Sequence, residues 1–283
     1  MMRRRYLLLG MAVLAAVEMM AGTGGPTTRS AIDLGAYRLV AGPIELPGIE
    51  DDLSGLTYAP ERGTLLAILN APATIVELSL AGQVLRTVRL EGFDDTEDLA
   101  WAGSNRVAVV EERRGNLCLL DLPLDGDRIA YKDVAVWPVA KPNPKNDGLE
   151  GVTLDAAGMR YILVKEKKPS IILEVMWVSD RPLLPVGQAR PLYDAEDPGP
   201  ALGDFSAVSW QAPSARLFVL SDESRCVVEL TASGKEVARL RLEAGSAGLD
   251  ADIPQPEGLA FDSEGRLYIC SEPNLLYVFE RQK

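Results

Sequence analysis

Acidic residues recur in pairs along this sequence. Glu97, Glu150 and Glu257 each begin a short segment that continues with Gly or Asp, an apolar residue, a small residue and a large apolar residue. A second acidic residue follows each of them after 15 or 16 residues. The partners are Glu112, Glu166 and Glu272, with Asp222 after Ser206 in a fourth copy and the uncharged Asn70 after Ser54 in a fifth.

These carboxylates predict a cation site if the fold brings them together. Carboxylates within about 6 Å of one another repel unless they are protonated or neutralised. The chain has no histidine and only three cysteines, so oxygen ligands dominate, and oxygen ligands suit Ca²⁺. We expect Ca²⁺ or a similar hard divalent cation to bind through some of Glu97, Glu150, Glu257, Glu112, Glu166, Asp222 and Glu272.

Basic residues beside these acids leave two interpretations open. Arg113, Lys165 and Arg225 could neutralise the acids in ion pairs, which would leave a salt-bridged surface without a ligand. They could instead bind a small anionic ligand next to the cation. The residues expected to contact such a ligand are Ser54, Asn70, Arg113, Lys165, Ser206, Arg225 and Asn274.

Composition excludes several classes of function. The absence of histidine removes Ser-His-Asp and Cys-His catalysis and any imidazole acid or base. A net charge of -12 and a pI near 4.7 argue against nucleic acid as a partner, because phosphate binding needs clustered Lys and Arg. Any chemistry must use carboxylates, Lys, Tyr, hydroxyl groups or a metal.

The spacing of the acidic segments predicts the elements that position them. The segment recurs at intervals of 43 to 56 residues, and a turn and further short apolar runs follow each copy. Four short strands per unit of that length are typical of a β-propeller blade. The innermost strand begins at the mouth where its antiparallel neighbour ends, so each acidic pair should lie at one rim of the central channel. The copies are Ser54–Tyr58, Glu97–Trp101, Glu150–Leu154, Ser206–Trp210 and Glu257–Phe261.

Five copies predict an all-β propeller of five blades, with six as the alternative. A sixth blade would have to come from the stretch between Leu122 and Leu149 or that between Arg181 and Phe205, and both are short and rich in Pro, Gly and Asp. The last copy reaches Lys283 after three strands. Residues 37–46 alternate apolar and polar side chains, and we expect them to add the missing outer strand and close the ring.

The N-terminus predicts export. Arg3–Arg5 precede an apolar run from Tyr6 to Val17, the arrangement of a signal peptide, although a large residue at the -3 position keeps an uncleaved membrane anchor open. We expect a signal peptide or anchor over 1–24, a linker over 25–36 and the propeller over 37–283. The positive-inside rule then places the propeller in the periplasm or on the outer face of the cell membrane.

The three cysteines lie inside apolar runs. Cys118, Cys226 and Cys270 are an odd set and do not form a disulfide framework. We expect them to pack as small apolar residues, with one bridge between Cys226 and Cys270 as the alternative.

Six separated strings give the chain a family resemblance. It resembles the YjiK-like family, also called SdiA-regulated proteins, over about residues 45–280. The resemblance implies a bacterial envelope propeller with an N-terminal hydrophobic segment and no established enzymatic activity. Where that family often has Glu-Arg, this chain has Glu166-Lys167. The strings are Asp94–Asp98, Val110–Arg114, Leu149–Val152, Leu220–Ser224, Asp252–Gly258 and Ser271–Asn274.

Two classes of function remain open at this point. In a binding module, the rim holds Ca²⁺ together with an unidentified ligand or envelope partner. In an enzyme, the rim holds Ca²⁺ for hydrolysis of phosphoesters or lactones, a chemistry found in propellers more distantly similar to the family. There Glu97, Glu150 or Glu257 would activate water, and nearby basic side chains would stabilise an anionic substrate.

Overall fold

Short antiparallel strands make up nearly all regular structure in the computed structural model, which describes residues 32–142, 148–178, 181–193 and 199–282. The helical elements in these ranges are two single 3₁₀ turns, Leu34–Ala36 and Tyr131–Asp133. The second strand of each unit is built from buried Leu, Val, Ile and aromatic residues, which favour a pleated, packed surface. The chain is therefore all-β, as its patterning predicts.

The first two units each contain four antiparallel strands, and the first carries a fifth, parallel strand at its edge. The stretch after Leu122 does not form a blade, since one of its strands is the outer strand of the second sheet and another pairs in parallel with the outer strand of the first. The strands of the first sheet are β2 Leu53–Ala59, β3 Thr64–Leu69, β4 Thr74–Leu78 and β5 Val84–Glu91, joined at its edge by β9 Arg128–Ala130; those of the second are β6 Thr96–Gly103, β7 Arg106–Glu111, β8 Asn116–Asp121 and β10 Ala135–Pro138.

The third and fourth units repeat the pattern. The stretch after Arg181 again forms outer strands, both paired with the third strand of its sheet, so it contributes no sixth blade. The strands are β11 Leu149–Asp155, β12 Arg160–Lys165, β13 Ile171–Val178, β14 Arg181–Pro185 and β15 Arg190–Pro191 in the third sheet, and β16 Ala207–Gln211, β17 Arg216–Ser221, β18 Cys226–Leu230 and β19 Glu236–Arg241 in the fourth.

The fifth unit joins the two ends of the chain, which confirms the predicted closure. Its outer strand comes from the N-terminal side and runs antiparallel to the last strand, with Tyr37 opposite Arg281 and Glu45 opposite Leu275. The Tyr37 ring is buried and its hydroxyl donates to the Gly265 carbonyl at 2.6 Å. The strands are β20 Pro256–Phe261, β21 Leu267–Ser271, β22 Leu275–Arg281 and β1 Tyr37–Glu45.

The core lies between neighbouring sheets. The innermost strands β2, β6, β11, β16 and β20 form a closed ring in which each contacts the next and β20 returns to β2. Apolar side chains from facing sheets fill the space between them; Ile68 of the first blade, for example, packs in one cluster with Val107 and Val109 of the second. The five sheets are therefore the five blades of a β-propeller.

The cysteines belong to these cores. All three are buried and free. Cys226 packs between the third and fourth blades, whereas Cys270 packs between the fifth and the first. The alternative of a bridge between Cys226 and Cys270 is therefore wrong, because the two side chains face different gaps of the ring.

The predicted export segment at 1–24 and most of the predicted linker lie outside the described residues. Within the described ranges, the structure holds no helix of the length and apolarity that membrane crossing requires.

Candidate metal centre

A β-bulge occurs where the inner strand of a blade begins. In the second, third and fifth blades the pairing of inner and second strand shifts just after Thr96, Leu149 and Pro256. The next residue in each case is Glu97, Glu150 or Glu257, and Ser54 lies at the same shift in the first blade. A bulge redirects the side chain at the extra residue. The strand start is thus a position from which each of these four blades can turn one side chain toward the channel.

The glycine after these residues is required by close packing of the inner strands. A Cβ atom on Gly258 would lie 2.5 Å from Cys270 Sγ and 2.7 Å from the Leu56 nitrogen in the neighbouring blade. A Cβ atom on Gly151 would lie 3.1 Å from the Val208 nitrogen. The second residue of the repeated segment is therefore small in four blades because inner strands meet there almost backbone to backbone.

Asp98 fills this position in the second blade and ties three blades together. It is 2% exposed. Its carboxylate accepts hydrogen bonds from the backbone N–H of Leu99 and of Val152 in the third blade, both at 2.8 Å, and from that of Leu56 in the first. Burial raises the pKa of Asp98, and the three N–H donors oppose that rise. Asp98 therefore acts at the axis as a structural residue, a role the repeat alone did not reveal.

The predicted carboxylates converge at one channel opening. We call this opening the acidic mouth. Burial, followed by the charge of neighbouring carboxylates, raises the pKa of Glu97 and Glu150 well above the usual range and that of Glu257 to about 8. Burial likewise raises the pKa of Glu112 to about 7. The negative charges of Asp222, Glu272 and Glu166 contribute to the raised pKa of Glu257, so these side chains lie near it. The carboxylates of the acidic mouth are Glu97, Glu112, Glu150, Glu166, Asp222, Glu257 and Glu272.

Two groups of carboxylates within the mouth are tight enough to hold an ion. In each group the ligand oxygens lie within 4.8 Å of one another. One group contains Asp95, Glu97 and Glu112, and the other contains Glu112, Glu150 and Glu166. The remaining predicted ligands, Asp222, Glu257 and Glu272, belong to neither group within the part of the chain that the structure describes.

Glu112 is common to both groups and is incompletely satisfied. It is 1% exposed. Its Oε1 accepts a hydrogen bond from the Gly148 N–H at 2.6 Å, while its Oε2 is buried and has no hydrogen-bond partner. The Oε2 atom of Glu166 is in the same condition. A buried charged oxygen without a partner is costly, so it points to a ligand that completes it.

Asp95 and Asp204 are acidic residues of the mouth that the repeat did not predict. Asp95 is 7% exposed and adopts a positive φ of 58° in the loop before β6. Asp204 is buried before the fourth inner strand, where it accepts from the Glu223 N–H at 3.0 Å and from the hydroxyl of Ser221. Both lie two residues before the first residue of the repeated segment, since Asp95 precedes Glu97 and Asp204 precedes Ser206 at that distance. This shared offset was a signal in the sequence that could have found both.

The predicted basic residues neutralise only part of the mouth. Arg113 lies 3.1 Å from Asp95, and Arg225 pairs with Asp252 at 2.5 Å. Lys165 donates to the Lys167 carbonyl. Among the described residues, the ion pairs reach one of the seven predicted carboxylates, Glu166, through Lys167 at 2.6 Å. A fully salt-bridged rim therefore does not describe this opening.

The uncharged residues predicted to contact a ligand have different surroundings. Asn70 donates to Asp95 at 3.2 Å and to Glu97 at 2.9 Å, so it lies in the mouth. Ser206 accepts from the Asp222 N–H at 3.2 Å, and Ser54 donates to the Asp52 carbonyl at 3.2 Å. Asn274 is buried and donates to the Ile49 carbonyl at 2.7 Å, which holds the loop after β1.

Five antiparallel blades around a channel with one acidic mouth define a five-bladed β-propeller with a candidate cation site. The chain belongs to the SdiA-regulated family, whose model matches residues 29–280. The family resemblance seen in the six sequence strings is thereby confirmed.

Solved structures share the fold at low identity. Glutaminyl cyclase from Myxococcus xanthus is 14% identical, with a TM-score of 0.56 over 86% of this chain and 95% of that chain. A calcium-binding protein, regucalcin, from Agrobacterium tumefaciens is 16% identical, with a TM-score of 0.51 over 86% of this chain and 92% of that chain. At such low sequence identities, the similarity shows the propeller fold alone.

Proposed function

We propose that the acidic mouth binds a hard divalent cation, with Ca²⁺ as the best match, and that this protein works as a binding module. The observation that carries the proposal is the buried, unpartnered Oε2 of Glu112 among converging carboxylates. Carboxylates with raised pKa values are poorly compensated by the protein alone, and a bound cation would compensate them. The oxygen-only ligand set favours a hard cation.

A small anionic ligand or an envelope partner is the second component of this proposal. A cavity of about 720 Å³ opens beside the mouth between the first and second blades and is lined by Asn70, Asp95, Arg89 and Arg113. The Arg89 side chain is exposed and forms no ion pair with another described residue. A cation at the mouth and two guanidinium groups in the adjoining cavity would together attract an anion. The expected site of action is the periplasm or the outer face of the cell membrane.

Thermal unfolding with and without Ca²⁺ tests the cation site. Binding to the native state alone stabilises by about 2.7 kcal/mol at a hundredfold excess over Kd, so the Tm should rise with Ca²⁺ and fall with chelator. Glu112→Gln should abolish the rise. Glu264→Gln, an exposed glutamate in the turn between β20 and β21, is the matched control and should keep it. A Tm that ignores Ca²⁺ in the unmodified protein would refute the proposal.

Calcium-dependent hydrolysis of phosphoesters or lactones is the second candidate. The observation that favours it is Glu257, whose pKa of about 8 lets its carboxyl group hold a proton at neutral pH beside the mouth. Such a group can give or accept a proton near physiological pH. A screen of phosphoester and lactone substrates, with and without chelator, tests this activity. If the Glu257→Gln variant hydrolyses a substrate as fast as the parent protein, Glu257 takes no part in the reaction.

A further inference from the structure

Resting on the proposed cation site, we propose that the acidic mouth holds two divalent cations side by side, bridged by the carboxylate of Glu112. Glu112 belongs to both tight groups of oxygens. The other members of the first group, Asp95 and Glu97, come from the beginning of the second blade, and those of the second group, Glu150 and Glu166, come from the third. The second blade thus supplies three of the five carboxylates, including the shared Glu112, and the third blade supplies two.

The hydrogen bonding of the Glu112 carboxylate suits a ligand that bridges two cations. Its side chain is 1% exposed, so water from bulk solvent does not complete it. Oε2 has no hydrogen-bond partner, and Oε1 receives a single N–H, from Gly148. A carboxylate oxygen has two lone-pair positions. Both oxygens of Glu112 therefore keep capacity for a cation.

The charge of the mouth is compatible with two ions. When ionised, the five carboxylates of the two groups carry five negative charges. With the ion-paired Arg113 and Lys167 counted, one divalent cation leaves a net charge of about -1 and two leave about +1. The nearby cations Arg113, at 3.1 Å from Asp95, and Lys167, at 2.6 Å from Glu166, lie at the outer edges of the two groups. Little positive charge reaches the shared centre at Glu112 from the protein itself.

Neighbouring contacts hold the outer ligands toward their respective sites. Asn70 donates to both Asp95 and Glu97 and keeps these two carboxylates together. Lys167 is fixed between Glu166 and Glu223, at 2.6 and 3.1 Å. Two cations sharing a carboxylate typically lie about 3.5–4 Å apart. Hard divalent ions such as Ca²⁺ and Mn²⁺ are the expected occupants, because every proposed protein ligand is a carboxylate.

Binding stoichiometry in purified protein tests the bridge. Equilibrium dialysis against Ca²⁺ should give two ions per chain. Asp95→Asn and Glu166→Gln should each leave one ion, and Glu112→Gln should leave none with measurable affinity. Glu264→Gln is the control, since Glu264 lies in the exposed turn between β20 and β21 and belongs to neither group, and it should keep both ions. Circular dichroism and Tm in chelator establish that each variant is folded.

A second measurement needs no variant. Two Mn²⁺ ions bridged by one carboxylate should interact magnetically, so the electron paramagnetic resonance spectrum of the parent protein should broaden between one and two equivalents of Mn²⁺. A single bound ion with the sharp spectrum of isolated Mn²⁺ would overturn the bridge and leave the cation site standing. Absence of any bound ion would refute the cation site as well.

Discussion

Two buried carboxylates, Asp98 and Glu112, show how the same chemical group serves different purposes here. Asp98 faces three backbone N–H groups from three blades and is satisfied by the protein. Glu112 faces one N–H group and other carboxylates, and one of its oxygens has no partner. Asp98 stabilises the ring of blades. The unpartnered oxygen of Glu112 does not stabilise the fold, so it calls for another explanation.

Replacing Asp98 should destabilise the fold. Asp98→Ala leaves three buried N–H groups without an acceptor, each costing about 1–3 kcal/mol, so the free energy of unfolding should fall by about 3 kcal/mol or more. Urea denaturation measures the change. Asp121→Ala is the control, because the Asp121 side chain is 78% exposed, and its effect should stay within about 0.5 kcal/mol. Equal losses in both variants would show that Asp98 does not join the blades.

The stability of the metal-free protein should depend on pH in a defined direction. Glu112 and Glu257 have pKa values raised to about 7 and about 8 in the folded chain. Between their unfolded values near 4.5 and these folded values the native state binds more protons than the unfolded state. In chelator, the Tm should therefore fall as the pH rises from about 5 to 8. A Tm that rises over this interval would contradict the proposed crowding of carboxylates.

The sequence predicts the position of the site because the starts of the inner strands and the ends of the second strands recur at fixed spacing. The fixed offset between strand start and second-strand end placed Glu97, Glu150 and their partners at one mouth. Asp95 and Asp204 share a position two residues before the repeated segment, but three-dimensional distances were needed to show that this position belongs to the mouth. The unpartnered oxygen of Glu112 also needed three-dimensional distances, since sequence does not show which N–H groups reach a carboxylate.

The closing strand β1 should be essential for solubility. Its removal exposes the hydrogen-bonding edge of β22, and unpaired edges promote association. A chain that begins at residue 48 should aggregate on expression, as measured by size-exclusion chromatography. A chain that begins at Ile32 retains β1 and should remain monomeric. Soluble, monomeric protein from the shorter chain would show that β1 is dispensable for closure.

At the scale of the whole molecule, the propeller brings carboxylates from several blades together at one mouth. The five inner strands form one ring, and the strand starts of the second and third blades supply Glu97 and Glu150 to the two tight groups. The ring also separates roles, because the gaps between blades hold the apolar core and the cysteines while the mouth holds the carboxylates. Cation binding should stabilise the second and third blades most, because the two tight groups of carboxylates come from these blades.

Export of the domain is a prediction at this scale. Arg3–Arg5 should stay in the cytoplasm and the propeller should cross the membrane. An alkaline phosphatase fused after residue 283 should be active, because that enzyme needs the oxidising periplasm. The same fusion with residues 1–24 deleted is the control and should be inactive. A stable but inactive fusion of the full chain would contradict export.

The most direct test of the account is to locate the cation. Crystals grown with Ca²⁺ and measured at long wavelength should show anomalous difference density in the acidic mouth, about 2.3–2.6 Å from carboxylate oxygens that include Glu112 Oε2. Ca²⁺ density confined to the outer surface, with Glu112 Oε2 bonded to water at saturating Ca²⁺, would contradict it.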